Sequence, residues 1–393
     1  MSLSTSDSLA SFDQTTAKLD ISPILATVLL YDTALLGLIG MGEPALRAEH
    51  RYNEDKLNDY FVTQASNDTA LDVAGSVTTI NIASGTGSKL RVGTLLQEDT
   101  NVGAAEVVEV TAISTDALTV VRNYGTTGLA LHSIPGTGLN WMIIGQPVQE
   151  GDETINDISL ARSQVTNYTQ IFKRTVKISG TLQAETANGM HPGVPDEAKY
   201  QILHRTLEMK RELNISAIRG IISASGGSDT VYRTMRGLRS FLTQAGAQVV
   251  TTAESLGEAQ VNYLYRQSWN QGGDPRELVG GPDQITRFAD FNAGKVRVAP
   301  SERVAGVFVE KYLTQYGAEL SLTLERWFRP DEVALIDKSR CHVALLQGRG
   351  LIVEPLATIG DAKRWQVLME ATLCVKNAKL AHSYHTNLNV PQV

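Results

Sequence analysis

Between residues 195 and 227 apolar side chains recur at helical spacing: Leu203, Leu207, Met209, Leu213, Ile215, Ile218 and Ile222. Arg205, Glu208, Arg211 and Glu212 supply a wetted face with close opposite-charge neighbours. Pro195 and Asp196 suit a first turn, and no further proline intervenes before Gly226-Gly227. The pattern predicts one helix of roughly 29 residues, about 43 Å long at 1.5 Å per residue. An ordinary globular helix is less than half that length. Such a helix is either the rod of an elongated protein or a crossing helix of a large α/β enzyme.

Two strands flank the helix. Phe172, Val176, Ile178 and Leu182 alternate with Lys173, Thr175, Lys177 and Thr181. Near the C-terminus, Trp365, Val367, Met369, Ala371, Leu373 and Val375 alternate with Arg364, Gln366, Glu370 and Lys376. That second run is about twice the usual strand length. Two long half-buried strands, far apart in sequence, are expected to pair beside the helix, with a separate domain inserted between them.

The other periodic segments fill in the plan. Residues 1–60 read as an arm, interrupted by Gly40 and Gly42-Glu43-Pro44. Residues 70–140 turn Gly-, Thr- and Val-rich, with short strands at Val77–Ala83, Leu90–Gln97, Glu106–Ile113 and Leu118–Arg122. They predict a small inserted barrel or sandwich, with Tyr124 and Trp141 at its exit. Ser84-Gly-Thr-Gly-Ser-Lys89 lies between strands and reads as a turn, not a phosphate loop. Residues 255–271 predict a second helix, capped by Ser255 and Glu258 and stopped at Gly272-Gly273. A strand at Leu278–Gly281, a hairpin about Gly317, and strands near 333–336, 342–346 and 351–353 complete a mixed α/β segment.

Charge and chemistry narrow the function. Residues 1–68 hold 4 Lys/Arg and 10 Asp/Glu, a balance of −6 within the chain's −7. A near-neutral body with an acidic arm is poorly suited to gripping nucleic acid through its phosphates. The Ile21–Ile39 stretch is broken by Pro23, Asp32 and Gly37, so it reads as a docked segment and not a membrane span. Cys341 and Cys374 read as free packed thiols. His382 and His385 read as a surface pair without a metal, and Asp152-Glu153 as solvated acids. No nucleophile elbow or Walker loop is present, and neither a catalytic residue nor a cofactor or metal site is expected. Arg233, Arg236 and Arg239 place three cations within seven residues. Either they pair with carboxylates such as Glu54 and Asp55 between subunits, or they coat an exposed face or meet DNA without specificity.

Several segments, in order, resemble major capsid proteins of tailed phages with the Hong Kong 97-type fold, in the branch with a β-module on the extended loop. They are Gly42-Glu43-Pro44 with Glu54-Asp55 and Leu57, Arg122-Asn-Tyr-Gly-Thr-Thr-Gly128 with His132, and Glu150-Gly151-Asp152. Asn167-Tyr-Thr-Gln-Ile-Phe172 ahead of Val176-Lys-Ile-Ser-Gly-Thr181, Arg233-Thr-Met-Arg-Gly-Leu238 and Arg326-Trp-Phe-Arg-Pro330 follow. Gly360-Asp361, leading to Glu370-Ala-Thr-Leu373 and Asn377, closes the series. Tyr52 stands where the family is expected to carry tryptophan.

The resemblance implies an α+β chain with four parts. These are an N-terminal arm at 1–60; an extended loop at 61–149 carrying the module at about 70–140; a peripheral domain at 150–239 and 356–393 with its spine helix at about 196–225; and an axial domain at 240–355. It implies a non-enzymatic subunit that self-assembles as hexamers and pentamers into an icosahedral head around double-stranded DNA, which it touches only non-specifically. Separate scaffold, portal and decoration proteins are the implied partners, with assembly in the bacterial cytoplasm and no membrane. No long cleaved prodomain is expected. The competing readings are a tail or decoration protein, and a hydrolase with an accessory β-domain.

Overall fold

A computed structural model describes residues 33–65, 68, 71, 75–99, 106–125, 139–148, 150–151, 158–184, 197–228, 230–290, 296–298, 309–357 and 360–390. The expectations for Pro195, Asp196, His132, Asp152-Glu153 and the first 32 residues lie outside the described residues. The chain divides into a smaller compact unit, Asn53–Ser163, and a larger one made of the segment up to Tyr52 and Gln164–Val393. The larger unit opens with α1 (Ala34–Ile39) and most of β1 (Glu49–Glu54), whose last two residues belong to the smaller unit.

The smaller unit contains β2 (Phe61–Thr63), β3 (Thr79–Asn81), β4 (Leu95–Glu98), β5 (Val107–Ser114), β6 (Ala117–Val121) and β7 (Asn140–Gly145). They form one antiparallel sheet in the order β2-β7-β4-β5-β6-β3. Its edge strands meet: Gln64 bridges Ile82, and Ala65 and Ala83 donate to the carbonyls of Asn81 and Thr63 at 2.8 and 2.9 Å. Strand alternation sends Val62, Ile80, Leu96, Val108, Val110, Leu118, Val120 and Trp141 inward.

Three details of this unit differ from expectation. Trp141 is fully buried in the core, because β7 is a strand of the sheet and not an exit segment. The strands run from Phe61 to Gly145, beyond the expected 70–140. The strand expected from Leu90 begins only at Leu95, because Arg91 and Thr94 close a turn through the Thr94 hydroxyl. The Ser84–Lys89 stretch is a turn at Ser84 and Gly85 followed by a single 3-10 turn at Gly87–Lys89. Its Gly85 and Gly87 amides donate to the Asp116 carboxylate at 2.9 and 3.0 Å, and a Cβ on Gly87 would strike the Thr115 carbonyl at 1.7 Å.

The larger unit resumes with β8 (Ser163–Tyr168), which pairs with β1, then β9 (Gln170–Ser179), α2 (Gly180–Ala184), α3 (Glu197–Arg219) and α4 (Leu238–Leu242). β10 (Gln248–Val250), α5 (Glu258–Asn270), β11 (Glu277–Gly280), α6 (Pro282–Ile285), β12 (Val296–Val298) and β13 (Val309–Leu313) follow. The chain then runs through β14 (Glu319–Leu324), β15 (Val333–Ile336), β16 (Cys341–Leu345), β17 (Ile352–Leu356), β18 (Ala362–Val375) and β19 (Ser383–His385). The two long strands pair antiparallel, with Phe172 opposite Met369 and Val176 opposite Trp365. On the other side of β18 lie β16 and β17. Met209, Leu213, Ala217 and Ile218 of α3 pack with Phe172, Val367, Met369 and Leu373 of this sheet.

The spine helix ends at Arg219, earlier than the expected Gly226-Gly227. Its neighbour is the reason: the Gly237 amide donates to the Gly220 carbonyl at 2.9 Å, taking the acceptor a further helical turn would use. A Cβ on Gly237 would meet Gly220 N at 2.5 Å and Ser216 O at 2.7 Å. Gly237→Ala is therefore expected to lower stability by about 1–3 kcal/mol, an overpacking cost. Chemical denaturation of the purified chain measures it, and an unchanged midpoint would show that this crossing yields freely. Leu182 sits in α2 and not in the strand. The ladder stops at Ser179 opposite Ala362, and the Gly180 amide donates to the Asp361 carbonyl at 3.0 Å.

A seven-stranded mixed sheet, β10-β19-β15-β11-β14-β13-β12, forms the rest. Val261, Leu264 and Tyr265 of α5 join Leu278, Phe288, Tyr312 and Leu320 in its core. α5 begins at Glu258 with Gly257 as N-cap and no side-chain cap, so the expected Ser255–Glu258 box is absent. Strand exchange also crosses the expected boundary at 355/356: β16 and β17 join the four-stranded sheet, while β19 joins the seven-stranded one. His382 and His385 are consequently buried, not a surface pair. His382 Nδ1 accepts from Asp337 N at 3.1 Å, and burial pushes this imidazole down to about 4. His385 Nε2 lies 3.1 Å from Glu254 Oε1. Cys341 and Cys374 are free, buried thiols.

Candidate functional site

Arg233 and Arg236 lie in the connection between α3 and α4, and Arg239 is the second residue of α4. All three arginines have partners inside the subunit. Arg233 pairs with Glu370 and donates from Nε to the Thr169 carbonyl at 2.5 Å. Glu370 is fully buried on β18; it also accepts from the Thr169 hydroxyl at 2.6 Å and lies 3.3 Å from Arg349 Nε. The polar side of β18 is thus covered where simple alternation would leave it wet.

Arg236 lies 4.5 Å from the Phe241 ring centroid and donates to the Ser240 hydroxyl and carbonyl at 3.1 and 2.8 Å. Burial pulls its guanidinium below the ordinary arginine range, with Tyr52 acting in the opposite direction. Its amide donates to Asn167 Oδ1 at 2.7 Å, and Asn167 Nδ2 donates to the Leu373 carbonyl at 2.7 Å. Arg239 Nε is 3.2 Å from Glu332 Oε2, which also accepts from the Tyr384 hydroxyl. Burial and Glu332 push the Tyr384 phenol up, so it stays a neutral donor. The segment therefore ties the end of the spine helix to the four-stranded sheet through Glu370 and to the seven-stranded sheet through Glu332 and Tyr384.

Glu54 and Asp55 lie in the other unit. Asp55 Oδ2 is 3.7 Å from Arg162 Nε, with side-chain exposures of 65% and 75%, so this pair is solvated and weak. Glu54 contributes its carbonyl to the Ser163 hydroxyl at 3.4 Å.

Sequence reading missed a further group, Glu325, which is fully buried. It accepts from Leu35 N at 2.7 Å and Asn214 Nδ2 at 3.2 Å, and Asn214 Oδ1 accepts from Leu36 N at 3.2 Å. Glu325 and Asn214 thereby hold the start of α1. The available signal was an acid closing the alternating run Leu320, Leu322, Leu324.

Among the described residues no group of three His, Cys, Asp or Glu side chains is placed to hold a metal ion. A cleft lined by Thr251, Glu254, Asn262, Tyr263, Arg266 and Tyr316 brings no hydroxyl or thiol nucleophile together with a histidine base. Among the described residues no helix is long and apolar enough to cross a membrane.

The family described as SU10 major capsid protein matches residues 6–389. Among solved structures, the chain is similar to the capsid of a native GTA particle, with a TM-score of 0.51 and 10% identity, covering 98% of this chain and 100% of that one. A Microbacterium phage Oxtober96 chain has a TM-score of 0.48 and 13% identity, covering 97% of this chain and 99% of that one. The holo-SrpI encapsulin complex of Synechococcus elongatus PCC 7942 has a TM-score of 0.41 and 17% identity, covering 58% and 78% respectively. No curated protein matches the chain.

Proposed function

Given that the chain belongs to the SU10 major capsid protein family and is a structural subunit of a phage head, not an enzyme, we propose that its copies meet as hexamers and pentamers around packaged double-stranded DNA. Its fold is of the Hong Kong 97 type and it forms part of the virion shell. The family match across residues 6–389 carries the reading. In this reading the shell assembles in the bacterial cytoplasm, helped by separate scaffold, portal and decoration proteins. The four-part division at 60/61, 149/150, 239/240 and 355/356 is the corresponding domain proposal, with strands exchanged across the last boundary.

The interior of each unit is tied by its own ion pairs, so contacts between copies fall to exposed side chains. In the smaller unit Tyr60, Phe61, Met142 and Ile144 are exposed, with Phe61 directly opposite Met142. In the larger unit Tyr263, Trp269 and Tyr316 are exposed. Tyrosine and tryptophan dominate interface hot spots, and many modest contacts sum in a closed shell. Glu54 and Asp55 would meet a neighbouring copy directly. Arg233, Arg236 and Arg239 would act between copies while holding the elements that carry the contacts.

Replacing both Phe61 and Met142 with serine tests the proposal. These side chains lie outside the core, so the unfolding midpoint should stay unchanged while shell yield in negative stain falls at least about tenfold, the effect of losing about 1.4 kcal/mol per contact. Full shell yield from the folded variant would remove this face from the assembly surface.

A further inference from the structure

Residues 40–45 lie along the edge of β16 not occupied by β18. Gly42 and Ala45 donate to the carbonyls of Val343 and Leu345 at 3.0 and 2.8 Å, while Val343 and Gln347 donate back to Gly40 and Ala45 at 3.1 and 2.9 Å. The bridges are parallel. Farther along, Thr169 N donates to the Ala48 carbonyl at 2.8 Å, and the Tyr52 hydroxyl donates to the Val375 carbonyl at 2.8 Å. These bonds join neutral groups and do not titrate between pH 5 and 8.

Three basic side chains occupy the same seam. His342, on β16, lies against Gly42 so closely that a Cβ there would come 2.2 Å from the imidazole Cδ2. His50, on β1, has its ring centroid 5.9 Å from that of Tyr52. Lys376 follows the end of β18 and acts on both imidazoles. We propose that residues 40–45 form an acid-labile clasp, in which protonation of His50 and His342 beside Lys376 releases this segment from the edge of β16.

Burial and then Lys376 push both imidazoles below the ordinary histidine value; His50 adds to the effect on His342, and Glu43 opposes it. The sign follows from linkage. Both rings bind protons less readily when docked than when released, so docking is unaffected above the ordinary value of about 6.5 and weakens as pH falls below it. The loss is complete once pH has passed below the lowered values. Release uncovers the β16 edge, whose free backbone groups then form a template for a strand from another copy.

Hydrogen exchange of the full chain at pH 7.5 and pH 5.0, corrected for intrinsic rates, tests the clasp. Protection of the Gly42 and Ala45 amides should fall at least about tenfold at pH 5.0, while β18 amides keep theirs. In the double variant His50→Gln, His342→Gln the change should shrink below about threefold. Equal protection at both pH values in the original chain, or an undiminished loss in the double variant, overturns the proposal. Exchange at the histidine ring C–H positions of the original chain is a second test that needs no variant. Titration of both rings below the ordinary histidine value supports the clasp, and titration at or above it overturns it.

Discussion

Arg233→Gln is expected to destabilise the folded subunit by about 3–5 kcal/mol before any neighbouring copy is involved, the usual cost of removing one partner of a buried pair. The substitution leaves Glu370 fully buried on β18, with the Thr169 hydroxyl at 2.6 Å and Arg349 at 3.3 Å as its remaining partners. It also strips the Thr169 carbonyl of the Arg233 donor at 2.5 Å. Arg349 moderates the effect, which places it toward the lower end of that range. Denaturant unfolding of the unassembled chain measures it. Adding Glu370→Leu to Arg233→Gln should restore part of the loss, because an isosteric apolar residue carries no uncompensated charge. If the single variant unfolds like the original while only assembled shells weaken at low salt, Arg233 acts between subunits and not within one.

Arg122→Ala should unfold the smaller unit while leaving the larger one intact. Glu106 is fully buried and receives Arg122 Nε and Nη2 on its two oxygens at 2.8 and 2.5 Å. Asn123 N adds a third bond at 3.1 Å. Without the guanidinium, the carboxylate is buried with one amide donor, a loss of about 3–5 kcal/mol. A small β-unit has little reserve against such a loss. Hydrogen exchange should show β4, β5 and β6 amides losing protection together, while β9 and β18 keep theirs. Uniform loss across both units would mean that they fold as one cooperative body; no loss anywhere would mean that the pair contributes nothing.

Periodicity made the long elements legible. The alternation of Phe172, Val176 and Ile178 with charged neighbours, matched by Trp365, Val367 and Met369, located β9 and β18 and their pairing. The hairpin about Gly317 was equally plain, because its αL backbone favours glycine and Leu320 and Leu322 mark the inner face. What pattern alone did not reveal depends on approach between distant segments. Nothing near Gly220 shows that Gly237 crosses it, so the helix was read too long. Trp141 looked like an exit residue because a six-residue strand following an unpatterned stretch carries little periodic signal. His382 and His385 resembled surface groups because polar residue type argues for exposure, whereas β19 carries His385 between β10 and β15 and His382, just before it, is buried against Asp337 N.

The same limit governs the candidate assembly residues. Three arginines within seven residues were visible, but their partners, Glu370, Glu332 and Ser240, are brought together by folding, two of them from distant positions. Glu325 illustrates the converse. A buried acid holding the start of α1 resembles any surface glutamate until its donors Leu35 N and Asn214 Nδ2 are known.

Cryo-electron microscopy of particles formed by the expressed chain tests the central claim, that this subunit builds the wall of a phage head. The account predicts closed shells tiled by this chain in rings of five and six, with α3 against the four-stranded sheet in every copy. Particles in which the chain only decorates a wall made by another protein, or a folded chain that stays monomeric under all assembly conditions, would contradict it.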